Sequence, residues 1–101
     1  MTGKVKKMTL EEFENNVVVI ANELSDLLVS KQVDYGPGNI NNAFGGPMNG
    51  LLVRMGDKFE RIKHLYSTNQ TPNHEAIEDS FMDLANYAII AMMVERGVWP
   101  K

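Results

Sequence analysis

Acidic side chains recur at helical spacing in two segments of this sequence, and the chemistry that they suggest is the binding of a hard cation. Asp57 and Glu60 are three residues apart, so on a helix they project together, about one turn apart. Glu75, Asp79 and Asp83 follow at steps of four, and no basic residue interrupts them. Two such strips meeting in a bundle would form an oxygen-rich cluster of the kind that Mg²⁺ favours, together with water and substrate phosphates.

The same acids also have a purely structural interpretation. A carboxylate in the first turn of a helix suits the helix dipole, which accounts for Glu75. Asp57 and Arg61 are spaced as an ordinary i,i+4 surface pair. Asp79 and Asp83 are explained least well in this way, because they lie further along the segment, where it becomes apolar. The metal hypothesis therefore depends mainly on these two aspartates.

The first element that must position these residues is a helix predicted from Leu10 to about Gln32. Thr9 precedes it, and Glu12 follows three residues later, which is the spacing of a capping box. Apolar residues then recur at steps of three and four, which predicts one side of the helix facing a core. These residues are Phe13, Val17, Ile20, Leu24 and Leu27.

A second helix is predicted from near Asn49 to about Tyr66, and a third from Asn73, its N-cap, to the residues before Gly97. The apolar stripe of the second helix consists of Leu52, Met55, Phe59, Ile62 and Tyr66, and that of the third consists of Ile77, Phe81, Leu84, Ala88 and Met92. Residues 34–50 are rich in glycine and asparagine, which predicts a long loop of the kind that is often functional.

These elements predict an all-α protein: a compact bundle of three main helices with a long Gly/Asn-rich loop between the first and second. Residues 1–101 are expected to form a single domain, with residues 1–8 as a flexible N-terminal tail. The second half of the third helix is apolar nearly all round, and a chain of 101 residues has only a small core. We therefore expect oligomerisation to complete the bundle.

Composition excludes several classes of protein. The absence of cysteine rules out disulfide frameworks, thiolate metal sites and cysteine nucleophiles, and it fits a cytoplasmic protein. The net charge is −3, the pI is near 5.3 and there is no basic run, so we do not expect a nucleic-acid polymer as partner. No window approaches the roughly 18 apolar residues of a transmembrane helix, so no membrane partner is expected.

Three strings in this chain resemble the nucleotide modification associated domain family, which is regarded as a MazG-like relative of the all-α nucleoside triphosphate pyrophosphatases. They are DYGPGNI at 34–40, VRMGDKFERIKHL at 53–65 and EAIEDSFMDLANYAIIA at 75–91. The resemblance implies hydrolysis of a nucleoside triphosphate to the monophosphate and pyrophosphate, with Mg²⁺ or, as an alternative, Mn²⁺. It also implies a homodimer or homotetramer in the cytoplasm of a bacterium or of a phage-infected host cell.

The resemblance further implies roles for individual acidic residues. Asp57, Glu60, Asp79 and Asp83 match the positions of the metal ligands. Glu75 is a candidate further ligand or water-orienting base, so Glu60, Glu75 and Asp79 are the catalytic candidates. The match departs from the usual superfamily pattern, because the first motif has lost one carboxylate and the second has Asp-x-x-x-Asp spacing.

The expected substrate contacts lie on the loop and on the second helix. Tyr35 and Asn39 would face the nucleotide, and Lys58 and Arg61 would reach its phosphates. Because the first metal motif is incomplete, a second hypothesis is a non-catalytic nucleotide-binding module on the same fold, serving as a sensor, partner subunit or nucleotide sink. A third is an interaction protein whose acidic faces are only solvated surface.

Overall fold

The computed structural model describes residues 7–101, and in that range the chain forms four helices and no strand: α1 (Leu10–Tyr35), α2 (Gly38–Asn41), α3 (Pro47–Thr68) and α4 (Ile77–Glu95). The prediction of an all-α protein is confirmed. Residues 1–6, which make up most of the tail predicted at 1–8, lie outside the described range. None of the helices within residues 7–101 has the length and apolar content needed to cross a membrane.

The first helix begins as predicted. The backbone N–H of Glu12 donates to Thr9 Oγ1 at 3.1 Å, and the backbone N–H of Thr9 donates to Glu12 Oε1 at 3.2 Å, which completes the capping box. The helix continues to Tyr35, beyond the predicted end near Gln32. It ends at Gly36, whose φ of 64° is a backbone conformation that favours glycine.

The prediction that residues 34–50 form an irregular loop is wrong. The segment contains the short helix α2, and α3 begins at Pro47 rather than near Asn49. Two consecutive glycines with positive φ, Gly45 at 78° and Gly46 at 94°, make the turn that leads into α3. Proline is favoured at the first helical position because its missing N–H would have no partner inside the helix.

The predicted start of the third main helix is also wrong. Its N-cap is Ala76 and α4 begins at Ile77, three residues later than an N-cap at Asn73 implied. Arg61 of α3 explains the difference, because its Nη2 donates to the carbonyl oxygen of Glu75 at 2.6 Å. This side chain holds the segment before α4 in a non-helical conformation. At the other end Gly97 has a φ of 69°, in agreement with its predicted position just after the helix.

Helices α3 and α4 form the main packed pair, and α1 contacts α4. Contacts between the pair join residue 54 to 87, 58 to 83 and 61 to 80, so the two helices are antiparallel. The buried centre consists of Ile40 of α2, Leu51 of α3 and Ile90 of α4. Half-buried residues packed against it are Leu28, Met55, Tyr87, Ala91, Val94 and Trp99.

The predicted apolar stripes are only partly inside the protein. Phe13, Val17 and Ile20 of α1 were expected in a core, yet each is more than half exposed. In α3 the expected residue Leu52 is 59% exposed, and its neighbour Leu51 is fully buried instead. The spacing identified both helices correctly, but which side of each helix is covered depends on neighbours that the spacing does not reveal.

Candidate functional site

A cavity of about 330 Å³ lies where the C-terminal part of α1 meets α2, α3, α4 and the segment after α4. Its walls combine apolar and aromatic side chains with a few charged and amide groups, which is the usual composition of a small-molecule site. The lining residues are Leu28, Lys31, Gln32, Tyr35, Asn39, Ile40, Arg54, Asp83, Asn86, Tyr87, Ile90 and Trp99.

Asp83 is held at the edge of this cavity by two lysines from different helices. Lys31 Nζ of α1 lies 3.0 Å from Asp83 Oδ1, and Lys58 Nζ of α3 lies 2.9 Å from Asp83 Oδ2. Glu75 is further away, 3.8 Å from the same Lys58 ammonium group. Asp83, whose side chain is 13% exposed, thus pairs with two ammonium groups from different helices at the edge of the cavity.

These contacts determine the protonation states of the cluster. Burial alone would raise the pKa of Asp83, but hydrogen bonds from Lys58 and Lys31 outweigh burial, so the pKa of Asp83 is lowered. The hydrogen bond with Asp83 raises the pKa of Lys58 in spite of partial desolvation. Both groups are therefore charged at neutral pH, and the ammonium groups are able to donate hydrogen bonds to an anion.

A basic face of α3 turns towards α4. Arg54 lies over the ring of Tyr87 at 5.9 Å, and it donates to the backbone carbonyl of Asn39 at 3.3 Å. One turn further on is Lys58, and then Arg61, which donates to Ser80 Oγ at 2.5 Å. The hydrogen bonds of Arg61 thus connect α3 to α4, whereas Arg54 and Tyr87 line the cavity.

The structure brings three of the predicted site residues to the cavity and leaves four acidic ones at the surface: Asp57, Glu60, Glu75 and Asp79. Tyr35, Asn39 and Asp83 line the cavity. The carboxylates of Asp57, Glu60 and Asp79 are all on exposed residues, and Glu60 pairs with Lys63 on its own helix. Within residues 7–101 no three acidic or histidine side chains lie close enough together to hold a metal ion. The predicted metal set stays a prediction, with Asp83 as the member that faces the cavity.

A comparison of the whole chain with protein families identifies one match. Residues 31–94 match the sequence model of nucleotide modification associated domain 1. The match covers well over half of the chain. The chain belongs to this family. No curated protein and no solved structure matches it.

The extent of the family match agrees with the geometry of the site. The match begins at Lys31, and it includes Lys58, Asp83 and the basic face of α3. Most of α1 precedes the match, and Trp99, which closes one side of the cavity, follows it. The charged part of the site therefore belongs to the family domain, whereas one aromatic wall comes from outside the match.

Three functional candidates were not predicted as site residues: Lys31, Asn86 and Trp99. Asn86 has a sequence signal, because it continues the acidic strip at a step of three from Asp83 and a polar residue there interrupts an apolar helix. Lys31 gives no such signal, because the sequence does not distinguish it from an ordinary surface lysine near the end of an amphipathic helix. Trp99 lies beyond the last helix, and only the folded chain shows that it returns to the core.

Proposed function

We propose that this chain binds a nucleoside triphosphate and hydrolyses it to the monophosphate and pyrophosphate, as a MazG-like pyrophosphohydrolase. The observation that carries the proposal is the cluster of Lys31, Asp83 and Lys58 at the edge of a cavity with aromatic walls. Cations beside an aromatic cavity suit a ligand with a charged end and a planar end. Membership of the nucleotide modification associated domain family supports a nucleotide as that ligand.

The two lysines are suited to receive the phosphates. Each ammonium group has three N–H donors, and Asp83 occupies only part of this capacity. The Lys31 side chain is 45% exposed, so a ligand has direct access to it from solvent. A triphosphate carries more negative charge than one carboxylate, so it would draw both lysines into phosphate contacts. Asp83 would then be released from its ion pairs.

Once released, Asp83 is the candidate ligand for a divalent ion. Mg²⁺ is commonly bound through one or two carboxylates, with water and substrate phosphates completing its shell, so a single carboxylate in the cavity fits this mode. A bound ion would supply neutralisation of phosphate charge and activation of a water molecule. Asp57, Glu60 and Asp79 are the further ligands that the resemblance implies. It also implies Lys58 and Arg61 as phosphate contacts, and of these Arg61 already donates to Ser80 and to the Glu75 carbonyl.

The proposed reaction is a hydrolytic displacement at the α-phosphorus. Water adds to this atom, the bridging P–O bond to the β-phosphate breaks, and pyrophosphate leaves with the electron pair of that bond. The water loses a proton, for which Glu75 is the candidate acceptor, assisted by Glu60 and Asp79. Tyr35 and Asn39, which line the cavity, would contact the nucleoside.

The test is pyrophosphate release from a panel of canonical and modified nucleoside triphosphates with Mg²⁺ or Mn²⁺. We expect release by the wild-type protein, and its loss in Asp83→Asn and Asp79→Asn. Asp26→Asn is the matched control, because Asp26 is an exposed aspartate of α1 that does not line the cavity. Equal release by all four proteins would overturn the assignment of the site.

The second candidate function is a non-catalytic nucleotide-binding module. It is favoured by the incomplete first acidic motif, which has lost one carboxylate of the usual superfamily pattern. This function predicts that a nucleotide raises the melting temperature of the protein without any release of pyrophosphate. Stabilisation together with release would exclude it.

We further propose that the protein self-associates through the exposed apolar side of α1. The chain has a radius of gyration of 16.1 Å, against about 13 Å for a compact domain of this length. Its accessible surface is 7832 Å², against roughly 5700 Å² for a compact monomer of this mass. The excess is comparable to the area that each subunit of an obligate homodimer buries. A second copy of this chain is therefore the proposed occupant of that surface, in a dimer or tetramer.

A further inference from the structure

Asn86 presents an unusual combination of burial and free hydrogen-bonding groups. It lies on α4 and lines the cavity, and only 6% of the residue is exposed. Neither its Nδ2 nor its Oδ1 has a hydrogen-bond partner among the described residues. Buried side-chain amides almost always have partners, so an unpaired amide in a cavity wall indicates that a ligand or water fills the space beside it.

A second unpaired donor lies in the wall of the same cavity. The indole Nε1 of Trp99 is buried and has no hydrogen-bond partner among residues 7–101. The Asn41 side chain fixes this segment by donating to the carbonyl oxygen of Pro100 at 2.9 Å. An indole N–H donates and does not accept, so the group that satisfies Trp99 has to be an acceptor.

The cavity wall has no free carboxylate to serve these donors. Among the described residues that line it, Asp83 is the only acidic one, and both of its oxygens already pair with lysines. The other charged lining residues are Lys31 and Arg54. The unpaired groups are two N–H bonds of Asn86 and one of Trp99, against a single acceptor, Asn86 Oδ1. Donors thus outnumber acceptors, which suits a ligand with several acceptor oxygens, such as a phosphate group.

The position of Asn86 on α4 places it beside the lysine cluster. Asn86 follows Asp83 by three residues, and side chains at this spacing share one side of a helix, with Cβ atoms about 5–6 Å apart. The ammonium group of Lys31 lies 3.0 Å from Asp83 Oδ1. A phosphate group that accepts a hydrogen bond from Lys31 is therefore within reach of the Asn86 amide.

We propose that Asn86 and Trp99 donate hydrogen bonds to the phosphate oxygens of the bound ligand. Lys31 and Lys58 supply positive charge at the edge of the cavity, and the amide and the indole supply neutral donors inside it. Asn86 Oδ1 then accepts one of the three N–H bonds of the Lys31 ammonium group. The inference rests on the proposed nucleotide function and adds two binding residues to the phosphate part of that same site.

The probes are inorganic tripolyphosphate, which has no nucleoside, and hydrolysis-resistant α,β-methylene triphosphates of the four standard ribonucleosides. Calorimetric titration measures their affinities for wild type, Asn86→Leu and Trp99→Phe. We expect each substitution to weaken the binding of tripolyphosphate by roughly 10- to 100-fold, as for the loss of a hydrogen bond to a charged group. The nucleotides should lose affinity by the same factor, because the lost contact is to a part that all the ligands share.

An Asn86→Asp variant distinguishes donation from acceptance. Aspartate keeps the acceptor oxygen, lacks the N–H bonds and adds a negative charge, so tripolyphosphate affinity should fall further than in Asn86→Leu. If Asn86 instead accepts a hydrogen bond from the ligand or binds a cation, Asn86→Asp should preserve or strengthen binding, which would overturn the inference. Asn42→Asp places the same charge at an exposed asparagine outside the cavity lining, and it should leave the affinity unchanged.

The fluorescence of the wild-type protein tests the indole contact without any substitution. Trp99 is the only tryptophan of the chain, so its emission reports on this wall of the cavity alone. Saturating tripolyphosphate should shift the emission maximum, because the indole N–H gains a charged acceptor. An emission spectrum that stays the same at saturation would contradict the contact.

The melting temperature of the ligand-free Asn86→Leu variant separates ligand binding from a structural role. Leucine has nearly the same size and leaves no polar group unsatisfied, so we expect an unchanged or higher melting temperature. A lower melting temperature together with wild-type affinity would mean that structural water satisfies Asn86, and the inference would fail. Trp99→Phe keeps an aromatic ring at its position and tests the second donor independently.

The outcomes separate this inference from the proposed function. If wild type binds the nucleotides and both Asn86→Leu and Trp99→Phe bind them equally well, the phosphate contacts are wrong and the nucleotide function stands. A loss of affinity confined to the nucleotides, with tripolyphosphate unaffected, would assign the two residues to the nucleoside and also overturn the inference. Failure of the wild-type protein to bind any nucleotide or tripolyphosphate overturns both proposals.

Discussion

The two halves of α1 have opposite surroundings, although they belong to one continuous helix. Towards its C-terminus, Leu28 packs against the core and Lys31 pairs with Asp83. Towards its N-terminus, the same apolar stripe is exposed to solvent at Phe13, Val17 and Ile20. Amphipathic spacing gives a helix an apolar side, but this side is buried only where another element packs against it. The comparison separates the part of α1 that packs against the rest of the chain from the part that stays uncovered, where we propose that a second subunit packs.

The largest effect on stability is expected from shortening a side chain in the buried core. Leu51 is fully buried, so Leu51→Ala should lower the free energy of unfolding by about 2–5 kcal/mol through lost contacts and a cavity. Leu52→Ala, one residue along and 59% exposed, should cost less than about 0.5 kcal/mol in the monomer. Chemical denaturation measures both. Similar losses for the two variants would show that the covered side of α3 is assigned wrongly.

The next largest effect concerns the uncovered part of α1. Val17→Asp combined with Ile20→Asp places two charges on the exposed stripe, and charges in an apolar interface are costly. We expect the wild-type protein to have a mass in solution of two or four chains of 11.3 kDa each, and the variant to have the mass of one chain. Light scattering coupled to size-exclusion chromatography gives both masses.

Val33→Asp is the matched control for that experiment. Val33 is 81% exposed and lies on the opposite side of α1 from the stripe, so its substitution should leave the oligomer intact. Circular dichroism checks that the double variant keeps its helices. A monomeric wild-type protein would contradict self-association, and another protein or a lipid surface would then have to cover the stripe.

A smaller effect is expected from the ion pairs at the cavity. Asp83→Asn should lower the free energy of unfolding by roughly 1–2 kcal/mol at pH 7, because two lysines lose their partner and one of them is largely exposed. The lowered pKa of Asp83 fixes the pH window. The contribution is fully present above the unfolded pKa near 3.8 and is lost as pH falls through the lower, folded value.

Urea denaturation from pH 2 to pH 7 measures this dependence. The difference between wild type and Asp83→Asn should be constant from about pH 5 to pH 7 and shrink below about pH 4. Asp26→Asn, at an exposed aspartate outside the cavity lining, is the control, and its free energy of unfolding at pH 7 should match that of wild type. A gap between wild type and Asp83→Asn that is as large at pH 2 as at pH 7 would show that the effect does not come from the carboxylate charge.

The smallest effect is expected from a substitution on the exposed side of α3, and it tests whether another subunit packs there. Gly56 is an exposed residue inside α3, and a Cβ atom added there would meet nothing within 4 Å. Gly56→Ala should therefore raise the free energy of unfolding by up to about 1 kcal/mol, through helix propensity alone. A loss of stability would mean that another subunit packs closely against this position.

The parts of the fold that the sequence predicts are those set by local signals. The capping box at Thr9 and the positive φ of Gly97 involve only neighbouring residues, and both are found as predicted. The start of α4 could not be predicted, because Arg61 from another helix occupies the Glu75 carbonyl. The covered side of α3 differs by a single position, Leu51 rather than Leu52, which spacing alone does not resolve.

The candidate site was predictable to a similar degree. Tyr35, Asn39 and Asp83 were predicted as site residues from the resemblance, and they line one cavity. The partner of Asp83 from α1, Lys31, lies 52 residues away in the chain, and no local pattern joins the two. Charged pairs between distant helices follow from the packing of the whole bundle.

The most direct measurement of the central claim is the affinity for a hydrolysis-resistant nucleoside triphosphate in wild type, Lys31→Gln and Lys63→Gln. Both lysines are well exposed, but only Lys31 lines the cavity, whereas Lys63 pairs with Glu60 on its own helix. We predict that Lys31→Gln weakens binding at least tenfold and that Lys63→Gln leaves it unchanged. Equal affinities in the three proteins, or no binding by the wild-type protein, would contradict a nucleotide site at this cavity.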